Sequence, residues 1–561
     1  MRKILCHFRA VADSFFGKKQ RRLVPLFFSC FLFAFYLVKT FSPASNGGAL
    51  AIVPDGLEYS MGCASLMESG RYGIWLNGVF HPSRYLPWFS SMICLPAVRL
   101  FHGDIFAAIY SIWFCAAGAV LTAFLLGRKN GTWMTGLCAA SLFFLSPLLH
   151  VMLQLVATEI PYIFFLFLML AIWLKITEKN GISWFLVTAY AVLTACAGAI
   201  RSSAFPMLIL PWGFYILRVP WRKKIMLTAL LLTPACLVLS GGFLYNLSAF
   251  GSGFRNGYQY WCPVPYDYPS LVFSLSYIRN NVEDLYSYEF FPVLVCEVLL
   301  IGLALLFHRK KEEPFYLARK RIFTGEVLFA SVQGAVLILL YMPYFFRSGF
   351  RFFMPLEALL ALPAVTAVEV LLQKKRLLLH GGMVLLLCLG IWKTATHRTY
   401  RFKAANEAEN FKLADQFLPE DAVLISNSSC ALAEYYFVKR TARRYVPLSR
   451  DQEYVNKVVA PVSAGPLDPP PAGPVDHLTE ALLRSPSCQL PYCWTVAENP
   501  EEFRHLLKTK HVFLSVEDYS LYNEPLRKIF PDAVFLLLTR PEYQCVEMMI
   551  PDAADKTEKD L

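Results

Sequence analysis

Apolar residues gather in blocks along the chain, each about 20 residues long and divided by short polar loops. The blocks centre near residues 32, 115, 141, 166, 192, 211, 236, 299, 335, 362 and 387. A helix of that length crosses a bilayer core, and a helix satisfies its own backbone groups in lipid. The pattern predicts about eleven transmembrane helices. Two of the blocks are short and are separated only by Arg201-Ser202-Ser203.

Short basic loops follow every second block: Arg128-Lys129, then 175–179, 218–224, 309–321 and 374–376. With this count all five share a side with the N-terminus. Basic residues in short loops mark the cytoplasmic side. The N-terminus carries Arg2, Lys3, Arg9, Lys18, Lys19, Arg21 and Arg22 ahead of the first apolar run, 23–38. That run reads as a signal anchor and not as a cleaved signal peptide. The expected protein is multi-pass in a cell inner (plasma) membrane, with its N-terminus cytoplasmic. The other side then receives a long first outer loop (about 41–103), a turn at 148–158, a loop at 248–290 and everything after about 396.

The tail changes period. Strand-like runs lie at 422–426, 511–516 and 533–538, and helix-like stretches at 477–484 and 501–508, with a Pro-rich loop at 466–474. The expected architecture is an all-α polytopic membrane bundle over 1–398, followed by a soluble extracytoplasmic α/β domain over 399–561.

Composition agrees with this division. The chain has 561 residues, 56% hydrophobic and 17% charged. Its net charge of +12 falls in the short loops, so it sets topology and does not mark a nucleic-acid surface. Most of the 15 cysteines lie in apolar blocks, where Cys behaves as a small hydrophobe. No zinc-type spacing occurs. Cys430, Cys488, Cys493 and Cys545 follow the last block, and disulfides among them are left open.

The candidate chemistry lies on the outer side. The first loop contains Asp55-Gly56-Leu57-Glu58-Tyr59, with Tyr59 onward predicted as a short surface helix. Asp55 and Glu58 either face one way as functional acids or charge a first helical turn. Glu159 stands at the outer mouth of a span, where Thr158 is expected to cap and Pro161 to fill the first turn. An ionisable group there is a functional candidate or a complement to the helix dipole. Arg84, Arg201, Arg347 and Arg351 fall at outer span ends. The topology rule does not explain them. Singly they would pair or snorkel; together they suit a phosphate or pyrophosphate. Acids beside such a cluster suggest transfer of a lipid-phosphate-linked sugar, with a carboxylate as base. The aromatic stretch 258–268 reads as an interfacial belt or as a surface for stacking on a sugar.

These residues resemble the C-type integral-membrane glycosyltransferases, the relatives of protein O-mannosyltransferases and of the lipid A aminoarabinose transferase. The resemblance rests on several motifs in order over about 20–395. They are Asp55-Gly56-Leu57-Glu58-Tyr59 with Leu66 and Gly70, Asn77-Gly78, Arg84-Tyr85-Leu86-Pro87, Thr158-Glu159-Ile160-Pro161, Gly198-Ala199-Ile200-Arg201 and Arg351-Phe352-Phe353-Met354-Pro355. The sequence departs from the adjacent Asp-Glu pair common in that group, since Gly56 follows Asp55. The resemblance implies a GT-C-like fold and an inverting single displacement from a polyprenyl-phosphate sugar. Asp55 would be the base, with Glu159 and Glu58 as further catalytic acids. Arg84, Arg201, Arg351 and Arg347 would hold the lipid phosphate, and Tyr59 and Tyr85 would contact acceptor or sugar. The acceptor would be a glycan, lipid or protein; membrane lipid is a partner and nucleic acid is not. No cofactor is required, and a divalent metal is left open. The competing readings are a secondary transporter or a non-catalytic polytopic protein of the cell envelope; few charges within the spans and a soluble tail count against the transporter.

Overall fold

The computed structural model describes residues 53–130, 133–144, 146–179, 181–262, 266–287, 291–308, 314–345, 349–372, 403–426, 428–447, 496, 500–539 and 543–551. Most of these are helical. The expected spans near 32 and 387 lie outside the described residues, as do the stretch 477–484, the loop 466–474, Arg347, Cys488 and Cys493.

Among the described residues, 5 helices are long and apolar enough to cross a membrane, or up to 6 if one bent pair forms a single span. The helices used below are α2 (Ala108–Asn130), α3 (Glu159–Glu178), α4 (Trp184–Ile200), α5 (Trp221–Phe250), α7 (Phe291–His308), α8 (Pro314–Tyr341) and α9 (Met354–Leu372), preceded by α1 (Pro54–Ser69). The block near 141 becomes a 12-residue helix, Trp133–Phe144, and a separate short one, Pro147–Met152. Ser146-Pro147 divides them, because proline disfavours helix in the residue before it. Around Arg201 the chain turns extended at the end of α4, then enters a 3-10 turn and the short helix Ile209–Ile216. The bundle core packs α2, α3, α4, α8 and α9 through Tyr162, Phe167, Trp173, Tyr190, Phe329 and Leu359.

The segment expected as the first outer loop is more ordered than its sequence predicts. Helix α1 starts at Pro54, several residues before the expected helix, so Asp55 and Glu58 are both on it. Proline is preorganised for a first turn, and Gly70 closes the helix at φ 69 with its N–H on Leu66 O. A hairpin follows: β1 (Gly73–Leu76) pairs antiparallel with β2 (Val79–Pro82). Its turn is Asn77-Gly78, with φ of 53 and 79, the positive pair that a two-residue hairpin demands.

The tail begins with α10 (Lys403–Phe417) and forms a small five-stranded sheet of order β4-β3-β5-β7-β6. Strands β3 (Val423–Ser426), β5 (Val512–Ser515) and β6 (Val534–Thr539) fall on the three predicted runs. Strands β4 (Arg444–Pro447) and β7 (Gln544–Met549) complete it. The inner strands β3 and β5 are parallel, and β7 runs antiparallel between β5 and β6. Among the described residues neither Cys430 nor Cys545 forms a disulfide.

This sheet is not detached from the rest. One hydrophobic cluster joins Leu57 of α1, Ile74 and Leu76 of β1, and Tyr260 and Trp261 to Phe411, Leu432, Phe437, Tyr445 and Phe513 of the tail. At the hairpin tip, Asn77 Nδ2 donates to Tyr445 O at 2.8 Å and Tyr445 N donates to Asn77 Oδ1 at 2.9 Å. The amide thus pairs with edge strand β4 as a neighbouring strand would.

Candidate functional site

Four segments far apart in sequence meet: the start of α1 with the loop after β2, the start of α3, the junction after α4, and the turn ahead of α9. Asp55 lies in the first turn of α1. Its Oδ1 accepts from Tyr85 Oη at 2.7 Å and its Oδ2 from Arg351 Nη1 at 3.3 Å. Burial, and the Asp55 charge next to it, hold the Tyr85 phenol well above its usual pKa, so it remains a donor. Asp55 keeps 30% of its side chain exposed. Of the three predicted acids it is the accessible one.

Glu58, one turn along, is almost wholly covered. It accepts from Ser83 Oγ and Arg84 N, both at 2.7 Å, and pairs with Arg84 Nε at 2.9 Å. Burial raises its pKa, with Arg84 and Ser83 opposing. Its donors all come from one stretch of loop, so Glu58 fixes the chain path that carries Arg84 and Tyr85.

Glu159 opens α3 with its side chain at 0% exposure. It accepts from Arg201 Nη2 and from Arg351 Nε. Thr158 does not cap the helix. Its hydroxyl accepts from Arg201 Nε at 2.9 Å instead, because the extended backbone after α4 brings that guanidinium to the helix start. Arg201 Nη1 is buried and has no hydrogen-bond partner among the described residues. Arg351, in the 3-10 turn Gly349–Phe353, bridges Asp55 and Glu159. The fixed charges balance: Asp55, Glu58 and Glu159 against Arg84, Arg201 and Arg351.

Tyr59 lies behind this arrangement, 5% exposed, with its ring 4.5 Å from Tyr85 and 4.7 Å from Phe89. Tyr85 is half-buried in front of it.

The aromatic loop belongs to the site's frame. Short helix α6 (Gly257–Trp261) begins with a capping box between Asn256 and Gln259. Gly257 presses on the backbone at Ser83-Arg84: a Cβ there would lie 2.3 Å from Arg84 Cα. Trp261 Nε1 donates to Pro82 O at 2.7 Å, and His81 Nδ1 pairs with Tyr260 Oη at 2.9 Å. Tyr260 and Trp261 are therefore buried against β2, not spread along a membrane surface. Sequence reading left Ser83 and Gly257 unassigned and took Trp261 only as part of the aromatic stretch 258–268; a glycine heading that run was the available signal. Among the described residues no group of three or more His, Cys, Asp and Glu side chains is arranged to hold a metal.

No family model matches the chain, and no curated protein matches it in sequence. Solved structures do. ArnT from Cupriavidus metallidurans bound to undecaprenyl phosphate aligns over 89% of this chain and 94% of that chain, with a TM-score of 0.51 and 12% sequence identity. The apo state of the same protein aligns over 89% and 93%, with a TM-score of 0.39 and 13% identity. ArnT is a lipid A aminoarabinose transferase of the GT-C type. The first likeness shows that this chain has a GT-C-like fold.

Proposed function

We propose that this protein transfers a sugar from a polyprenyl-phosphate donor to an acceptor hydroxyl on the extracytoplasmic face of a cell inner membrane. The acceptor oxygen attacks the anomeric carbon while its proton passes to Asp55. The bond from that carbon to the phosphate oxygen breaks, and the electron pair leaves on the phosphate. One displacement inverts the centre, with no covalent enzyme intermediate. Arg201, Arg351 and Arg84 hold the lipid phosphate and stabilise the charge it gains, and Arg347 is a further candidate on sequence alone.

One observation carries the reading. The accessible carboxylate of Asp55 touches Arg351, and the adjoining Arg201 has a buried guanidinium nitrogen without a partner among the described residues. A buried donor left unsatisfied is costly, and a phosphate oxygen would satisfy it. The GT-C-like fold, shared with a protein crystallised with undecaprenyl phosphate, supports a polyprenyl carrier. Glu159, fully buried and engaged by two arginines, orients them and does not meet the acceptor. Glu58 orients Arg84, Tyr85 orients Asp55, and Tyr59 backs Tyr85. About eleven spans, an N-terminus in the cytoplasm and a division near 398 complete the proposed topology.

The test is transfer from radiolabelled polyprenyl-phosphate sugars in membranes, wild type against Asp55→Asn. Loss of transfer with retained binding of undecaprenyl phosphate supports Asp55 as base. Transfer persisting in Asp55→Asn removes that role from it.

A further inference from the structure

From Asp55 to Arg351 the site can be traced in a second direction, through aromatic rings. Tyr85 Oη reaches Asp55 at 2.7 Å. The Tyr85 ring meets Tyr258 at 5.6 Å, and Tyr258 meets Tyr266 at 4.9 Å. Tyr266 and Tyr344 share a hydroxyl hydrogen bond of 2.7 Å. Tyr344 meets Phe352 at 6.2 Å, and Phe352 lies under the Arg201 guanidinium at 5.6 Å. Phe352 is the residue after Arg351, which returns to Asp55. The path closes on itself.

Tyr85, Tyr258, Tyr266, Tyr344 and Phe352 are all half-buried. Hydrogen bonds and a ring stack support the Tyr344 and Phe352 end of the arc. Asn281 Nδ2, with two hydrogens to give, lies 2.9 and 2.8 Å from Met342 O and Tyr344 O and 3.2 Å from Tyr341 O. Phe345 N donates to Val272 O at 3.0 Å and Ser274 N to Pro343 O at 2.8 Å, which ties the segment before α9 to the loop after α6. Phe352 is stacked on Tyr341 at 4.3 Å. An interfacial belt needs no such fixing, since its rings anchor singly at the headgroups.

We propose that this arc is the platform for the donor's sugar ring, a pyranose presenting its C–H face to the tyrosines. The inference rests on the transfer reading above and assigns a subsite within it. The reacting carbon must lie between the phosphate, at Arg201 and Arg351, and the base, Asp55. The arc begins at Asp55, through the Tyr85 hydroxyl, and ends at Phe352 beneath the Arg201 guanidinium. A pyranose has an apolar face that packs on aromatic faces, and equatorial hydroxyls that pair with the Tyr266 and Tyr344 phenols. Aromatic side chains hold such a face at low conformational cost because they have few rotatable bonds.

The experiment measures binding of two probes to the purified full-length protein: undecaprenyl phosphate, and undecaprenyl phosphate carrying one hexose. The expected result is that wild type binds the sugar-bearing lipid about fivefold more tightly. Tyr258→Ala and, separately, Tyr344→Leu erase that difference and leave the affinity for the bare lipid unchanged, while Tyr258→Phe retains it. Equal binding of both probes to wild type overturns the platform, as does a Tyr258→Ala effect equal on both. Failure of wild type to bind either lipid overturns the transfer reading itself, a separate result.

Discussion

Tyr85 Oη donates to Asp55 Oδ1 at 2.7 Å, from a loop 30 residues further along the chain. This bond leaves Asp55 with a fixed carboxylate plane and a second oxygen held by Arg351. In the proposed role of base, a carboxylate fixed in this way would need no reorganisation when a proton reaches it.

Tyr85→Phe keeps the ring against Tyr59 and Tyr258 and removes only that donor. A hydrogen bond to a charged group is worth about 1.5–3 kcal/mol, so kcat for sugar transfer should fall by about tenfold or more. Steady-state transfer assays with unchanged thermal midpoints would bear this out; an unaltered kcat would refute it.

Glu58→Ala removes the partner of a nearly buried guanidinium and of Ser83. Breaking a buried pair costs about 3–5 kcal/mol, so the thermal midpoint in detergent should drop markedly. Glu58→Gln keeps an acceptor for Ser83 and Arg84 N and should lose less. Midpoints equal to wild type in both variants would show that Glu58 does not hold this loop.

Arg201→Ala removes the nitrogen proposed for the phosphate and leaves Glu159 with Arg351 alone. Affinity for undecaprenyl phosphate should fall by about tenfold or more. Titration of the lipid into purified protein reads the effect, and an unchanged dissociation constant would contradict the assignment.

Glu434 lies where the tail meets the hairpin and accepts from Asn77 N at 3.3 Å. Burial raises its pKa to about 7, with Asn77 N–H and the nearby Arg440 opposing. A carboxyl with a raised folded pKa favours the docked state when protonated. That stabilisation is full below the ordinary value of about 4.3 and is lost as pH rises through about 7. Tail docking, followed by protease sensitivity of full-length protein, should weaken between about pH 5 and pH 8. Glu434→Gln should flatten this dependence, and an identical slope in the variant would locate the titrating group elsewhere.

Legibility divided along physical lines. Three tail strands were readable because each is a compact apolar run, whereas β4 (Arg444–Pro447) and β7 (Gln544–Met549) mix charge and polarity and depend on their neighbours. The Asn77-Gly78 turn carried the local signal for a hairpin; the tail strand its amide would pair with carried none. Thr158 was a sound cap by local rules, yet Arg201, 43 residues on, took its hydroxyl. The acids, arginines and tyrosines of the candidate site were named from sequence and Ser83 and Gly257 were not, but the partners of the named residues were not read either.

The sequence by itself determined the apolar helices, the change of character at the tail and the acids and arginines from which a site could be made. Each of these depends on residues consecutive in the chain, where hydropathy, period and charge act locally. Only the tertiary structure decided that Asp55 stays accessible while Glu58 and Glu159 are covered, and that Arg351 joins Asp55 and Glu159 across separations of 296 and 192 residues. Burial and pairing at such distances follow from how helices pack against one another, and no local pattern encodes that choice.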